Sequence, residues 1–125
     1  MTKTTRPRKK VMIVDDDAEF LEELCEMLDT SGYAVIPVRE PRRAIDMADS
    51  AKPDVILLDL KMKQLSGFQI ADGLSRLTGT VGIPVIAMTG FFTEHEHISL
   101  MNICGFRRCI VKPFAATDII NAIEA

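Results

Sequence analysis

Four short apolar runs, each ending in a polar or charged side chain, constrain what this chain can fold into more than any other feature. Val11–Val14 leads into Asp15-Asp16, Val55–Leu58 into Asp59, Ile83–Met88 into Thr89, and Ile110-Val111 into Lys112. Runs this short and this rich in β-branched residues read as strands buried on both faces, the condition of a parallel sheet. In a parallel sheet all the carboxyl ends lie along one edge. Three carboxylates, one hydroxyl and one ammonium would then converge there. Carboxylates suit a divalent cation, and a hydroxyl beside an ammonium suits a phosphoryl group.

Amphipathic stretches separate the runs about every twenty residues, which is the βα pattern of a doubly wound sheet. The pattern predicts strands near 10–14, 33–38, 54–59, 83–88 and 107–111, and helices near 18–30, 41–51, 67–78, 94–104 and 117–124. Phe20, Leu21, Leu24, Cys25 and Leu28 make one stripe at helical spacing. Gly32 sits where a left-handed residue ends that helix at little cost, and Pro41 suits the first turn of the second. Ser66 with Gln69, and Thr93 with Glu96, have capping-box spacing. Ile70, Ala71, Leu74 and Leu77 supply the inner face of the third helix. Gly105 closes the fourth, and Ile119, Ile120 and Ile123 mark a short fifth. Right-handed crossovers place helices on both faces, and ligands bind beyond the carboxyl ends of the strands.

Bulk properties narrow the function. A chain of 125 residues makes one domain with a real core. A net charge of −3 argues against nucleic acid as the main partner. The basic residues Lys3, Arg6, Arg8, Lys9 and Lys10 cluster at the start, so residues 1–9 read as a flexible basic tail ahead of a domain over 10–125. No apolar stretch is long enough to span a membrane, and the basic start lacks the apolar segment of a secretory signal. Cys25, Cys104 and Cys109 form no C-x-x-C pair and fit a reducing cytoplasm. His95 and His97 are two apart on a predicted helix and do not share a face, which reads as exposed polar surface rather than a metal site.

Each polar point has a structural reading beside the chemical one. Asp17 caps the first helix, and an acidic turn alone would account for Asp15-Asp16. Asp59 alone could be a strand-end cap, and Thr89 alone says little. Their combination weighs more. Two like charges about 4 Å apart repel by roughly 4 kcal/mol at an effective dielectric of about 20, a cost that Mg²⁺ or a phosphoryl-bearing ligand offsets. Asp59 is the candidate nucleophile, since a carboxylate can attack phosphorus to give an acyl phosphate. Lys112 can reach an anion at the sheet edge, and Pro113 after it can fix the turn as a cis peptide.

These segments match a family. Val11–Asp17 (VMIVDDD), Asp54–Leu60 (DVILLDL) with Gly67, Pro84–Gly90 (PVIAMTG) and Val111–Phe114 (VKPF) resemble, in order and spacing, the receiver domain of bacterial two-component response regulators over essentially the whole chain. The resemblance implies a flavodoxin-like (βα)5 fold with a five-stranded parallel sheet in the order 2-1-3-4-5. It also implies that Asp59 is the phosphoacceptor and that Asp15, Asp16, Asp59 and the backbone carbonyl of Lys61 hold Mg²⁺. Thr89 and Lys112 then contact the phosphoryl group. A sensor histidine kinase or histidine phosphotransfer protein is the implied donor, and slow self-dephosphorylation sets the signal's lifetime. The family often pairs through the fourth helix, fifth strand and fifth helix, here the 94–124 face with Arg107 and Arg108 at its edge.

The chain departs from the family pattern in three places. Lys63 replaces the usual proline four residues past the acceptor, which predicts a less rigid loop. Lys61 and Phe91 occupy the positions that tune attack by water, and their bulk and charge predict a long-lived phosphoform. Cys109 replaces the switch aromatic three residues before the lysine, which predicts weaker rearrangement of the 94–111 face. The leading reading is a phosphorylation switch rather than an enzyme. The alternative is a pseudo-receiver that acts as a phosphorylation-independent interaction scaffold. A phosphohydrolase of the haloacid-dehalogenase type is disfavoured by Lys61, where such enzymes carry a general-acid Asp, and by the lack of room for a cap domain.

Overall fold

Five strands form one sheet in the order β2-β1-β3-β4-β5: β1 (Lys10–Val14), β2 (Ala34–Val38), β3 (Val55–Asp59), β4 (Val85–Thr89) and β5 (Arg108–Val111). Every neighbouring pair is parallel. The computed structural model describes residues 8–90, 99 and 105–125. The helices among them are α1 (Ala18–Thr30), α2 (Ala44–Ala51), α3 (Gly67–Arg76) and α4 (Ala116–Glu124). The expected doubly wound sheet with order 2-1-3-4-5 is the observed one. Apart from Ser99, the helix expected over 94–104 lies outside the described residues, with the Thr93–Glu96 cap pair, His95, His97 and Cys104. Phe91 and Phe92 lie outside them too.

Alternation along the strands splits the core into two layers, because successive side chains point to opposite faces. Val11, Ile13, Val55, Leu57, Ile86 and Met88 pack with Leu21, Leu24 and Leu28 of α1 and Ile119 and Ile123 of α4. Met12, Val14, Ile56, Leu58 and Ala87 pack with Ala44 and Ala48 of α2 and Ile70, Ala71 and Leu74 of α3. The two central strands β1 and β3 are buried on both faces, apart from Lys10 at the start of β1. β5 is an edge strand and only half-buried, with Val111 43% exposed. The apolar run at 110–111 therefore marks a strand, but not a fully buried one.

The local signals act as their chemistry requires. The Asp17 carboxylate accepts the Phe20 N–H at 3.2 Å and starts α1. Gly32 has φ +100° just past the helix. Ser66 and Gln69 form the reciprocal capping box of α3, with bonds of 3.3 Å and 3.0 Å.

Two elements differ from expectation. Pro41–Arg43 is a 3₁₀ turn, and the α-helix begins only at Ala44. The Arg43 N–H bonds to the Glu40 carbonyl, a tighter closure than an α-helix makes. The third helix ends at Arg76, and Leu77, expected on its inner face, has extended backbone and is 40% exposed. Buried Thr80 donates its hydroxyl to the Leu74 carbonyl at 2.6 Å, so a side chain satisfies a carbonyl at the end of the helix.

The start of the described chain is also held. Arg8 donates to the carbonyls of Asp29, Gly32 and Tyr33 and to the Asp29 carboxylate. Lys9 pairs with Glu124 at 3.6 Å, and the same carboxylate accepts the Tyr33 hydroxyl at 2.6 Å.

Candidate functional site

Strand register brings the acidic residues together. Val14 pairs with Leu58 across β1 and β3, so the next residue on each strand places Asp15 beside Asp59. By alternation Asp15 and Asp59 share the face of Ile13 and Leu57, the side covered by α1 and α4. Carboxylate oxygens of Asp15, Asp16 and Asp59 all lie within 4.8 Å of one another. Asp15 is fully buried, Asp59 nearly so, and Asp16 half-buried. Three carboxylates this close at a sheet edge can chelate a divalent cation.

Backbone contacts fix each group. One Asp15 oxygen accepts the Asp17 N–H at 2.9 Å, while its own N–H donates to the Val38 carbonyl at 3.1 Å. Asp16 accepts the Lys63 N–H at 3.0 Å, which ties the β3–α3 loop to the end of β1. Gly67 lets that loop close. A Cβ there would stand 2.4 Å from the Asp59 carbonyl oxygen and 2.8 Å from the Leu60 Cα, closer than any side chain tolerates. Lys61 follows in the same loop with an exposed side chain.

The cation enters from β5. The Lys112 N–H donates to the Thr89 carbonyl at 2.7 Å, and the Lys112–Pro113 peptide is cis. The Lys112 ammonium donates to Asp15 at 2.8 Å and stands 3.4 Å from Asp59. The resemblance pairs this lysine with the acceptor; in the resting geometry Asp15 is its nearer partner. Buried Thr89 ends β4, in register with Val111. The structure thus brings Asp15, Asp16, Asp59 and Lys112 into direct proximity, with Thr89 on the adjoining strand end.

Electrostatics follow from this crowding. Burial pushes the Asp59 carboxyl up to about 6, the charge of Asp15 adds to the rise, Lys112 opposes it, and Asp16 adds a smaller push. Near pH 7 Asp59 is therefore mostly ionised, a carboxylate held at an electrostatic cost that a divalent cation would offset. On the β2 side of Asp16 a cleft of about 420 Å³ opens, lined by Arg39, Glu40, Pro41, Lys63 and Gln64.

Sequence reading did not find the aromatic surround of Lys112. Its ammonium lies 3.9 Å from the centroid of the Phe20 ring, and Phe20 meets Phe114 edge to face, with centroids 5.9 Å apart. Phe20 is an ordinary stripe residue by spacing, and its nearness to Lys112 is set by tertiary packing alone. Cys109 is half-buried against the α2/α3 layer, where burial pushes its thiol up. Buried Phe106 packs against Phe68 in the same layer.

Known proteins resemble this chain in family, in sequence and in fold. Residues 11–124 match the family model described as the response regulator receiver domain. The chain is 29% identical over 117 residues to the transcriptional regulatory protein PdtaR of Mycobacterium tuberculosis, covering 93% of this chain and 55% of PdtaR. It is 30% identical over 117 residues to the polar-differentiation response regulator DivK of Brucella anthropi, covering 94% of each. The chain therefore spans about half of PdtaR but nearly all of DivK. Among solved structures, the chemotaxis protein CheY4 of Vibrio cholerae superposes with a TM-score of 0.87 at 23% identity, covering 94% of this chain and 98% of CheY4. That likeness concerns the fold.

Proposed function

The chain belongs to the response regulator receiver family, and from that premise we propose that it is a phosphorylation-controlled switch whose acceptor is Asp59. Receivers are signalling switches that interact with histidine kinases or phosphotransfer proteins, and the family binds Mg²⁺ at an acidic pocket. The observation that carries the residue assignment is the convergence of Asp15, Asp16 and Asp59 with the Lys112 ammonium set between two of them.

The ionised Asp59 oxygen attacks phosphorus of a phosphohistidine. A P–O bond forms, the P–N bond breaks, and the departing imidazole takes a proton from solvent. Lys112 moves its ammonium from the carboxylates to the new phosphoryl oxygens, and the Thr89 hydroxyl donates to another. Asp15, Asp16, Asp59 and the Lys61 carbonyl are the groups that would hold Mg²⁺. The ion when bound offsets the charge on the phosphoryl oxygens. Three carboxylates against one ammonium, with Asp59 made more basic by burial and by the charge of Asp15, are a donor set that fits such an ion. The exposed cleft cations Arg39 and Lys63 flank the approach of an anionic donor.

In this reading residues 10–125 form the switch domain, 1–9 a basic tail, and the protein works in the cytoplasm without direct nucleic-acid contact. Two copies can pair through the 94–124 face. Among the described residues no helix is long and apolar enough to cross a membrane. One observation favours the scaffold alternative: half-buried Cys109 stands where the switch aromatic belongs and cannot fill an aromatic's slot.

Incubation with Mg²⁺ and acetyl phosphate, followed by intact mass, tests the assignment. An adduct of one phosphoryl group on the parent and none on Asp59→Asn is expected. No adduct on a parent shown to bind Mg²⁺ moves the conclusion to the scaffold.

A further inference from the structure

Lys112 reaches the carboxylates on a four-carbon stem that is free to swing. Its side chain is 21% exposed, so the acidic cluster alone does not enclose it. An ammonium has three donors. Asp15 takes one at 2.8 Å, and Asp59 stands at the longer 3.4 Å. The Phe20 ring closes another side, its centroid 3.9 Å from the nitrogen. That ring is itself held twice. Its backbone N–H is bonded to the Asp17 cap, and its ring packs edge to face with Phe114, two residues past Lys112. Any apolar side chain at this place would cover the lysine stem. Only an aromatic face also attracts the ammonium without competing with it for carboxylate oxygens.

We infer that Phe20 is a positioning residue for phosphotransfer: its ring holds the Lys112 ammonium against Asp15 and Asp59 and so raises the fraction of molecules with the cation ready at the acceptor. The inference rests on the functional reading above. It adds a residue that belongs to neither the carboxylate set nor the strand ends. A cation on an aromatic face at a partly desolvated site corresponds to a bias of about three- to tenfold in position.

The test combines one spectrum with two variants. In the parent, with lysine carbon-labelled and no donor present, the Lys112 ε-methylene protons should resonate upfield of those of the other lysines, from the ring current of Phe20. Phe20→Leu should abolish that shift and slow acetyl-phosphate labelling of Asp59 at saturating Mg²⁺ by about three- to tenfold. Phe20→Tyr, which keeps the aromatic face, should keep the shift and recover most of the rate. A parent spectrum with Lys112 in the ordinary lysine range overturns the inference without any variant. So does Phe20→Leu at the parental rate, or Phe20→Tyr as slow as Phe20→Leu, since that pattern belongs to packing. A parent that takes no phosphoryl group overturns the functional reading and the role in transfer together, whatever the spectrum shows. A labelled parent with an unshifted Lys112 overturns the role of Phe20 alone.

Discussion

Replacing Asp59 should stabilise the metal-free protein, and the size of the gain follows from the crowding around its carboxylate. Its carboxyl is raised from an ordinary 3.8 to about 6 by burial and by Asp15 and Asp16, against the pull of Lys112. The folded state therefore holds this proton more tightly than the unfolded state does. Stability from this group is present below about pH 4 and is lost as pH rises through about 6. A rise of about 2 units corresponds to at most about 3 kcal/mol, at 1.36 kcal/mol per unit. Asp59→Asn keeps the shape and removes the charge, but it also weakens the 3.4 Å approach of Lys112. Lys112 keeps Asp15 at 2.8 Å, so only part of the gain is offset. The expected net is about 1–2 kcal/mol at pH 7.5, a rise in Tm of roughly 4–8 °C for a domain of this size, falling to near zero at pH 4. Urea or thermal unfolding of parent and variant in chelator at the two pH values measures it, and titrating groups that do not interact with Asp59 cancel in the difference. If Asp59→Asn is no more stable than the parent at pH 7.5, or if its gain is undiminished at pH 4, the electrostatic account is refuted.

Adding Mg²⁺ at a hundredfold excess over its dissociation constant should stabilise the parent by about 2.7 kcal/mol, with a smaller response in Asp59→Asn, read as Tm against metal concentration and reversed by chelator. Gly67→Ala forces a Cβ into the Asp59 carbonyl and should cost about 2–4 kcal/mol by chemical denaturation; a loss under about 1 kcal/mol would mean the β3–α3 loop yields easily. Tyr33→Phe removes the 2.6 Å bond to Glu124 and should cost about 1 kcal/mol, since the hydroxyl is partly buried on a charged acceptor; the same assay decides it. If Lys61 and Phe91 shield the phosphoryl group as the resemblance implies, the phosphoform is expected to be long-lived in Mg²⁺, and decay within seconds by intact mass would contradict that shielding.

Much of the fold was written in local patterns. Strand runs of period two and helical stripes depend on which residues neighbour one another, and they led to the observed parallel sheet and its central strands. The caps at Asp17 and Ser66 were equally legible, because a side chain bonding two or three residues away needs only local geometry. Misreadings came where distant groups intervened. Leu77 continued an apolar stripe, but the Thr80 hydroxyl reached the Leu74 carbonyl and the helix had already ended. The run at Ile110-Val111 looked buried, but among the described residues β5 is the last strand in the sheet order, and its side chains are only partly buried.

The site divides along the same line. Because parallel strands must align their carboxyl ends, the chain by itself determined that Asp15, Asp16, Asp59, Thr89 and Lys112 end on one edge. Only the tertiary structure decided that Lys112 rests nearer Asp15 than Asp59, that Gly67 lies against the Asp59 carbonyl, and that Phe20 receives the ammonium. The Lys112–Asp15 contact joins residues 97 positions apart. Such distances are set by how helices pack on the sheet, which no spacing along the chain encodes.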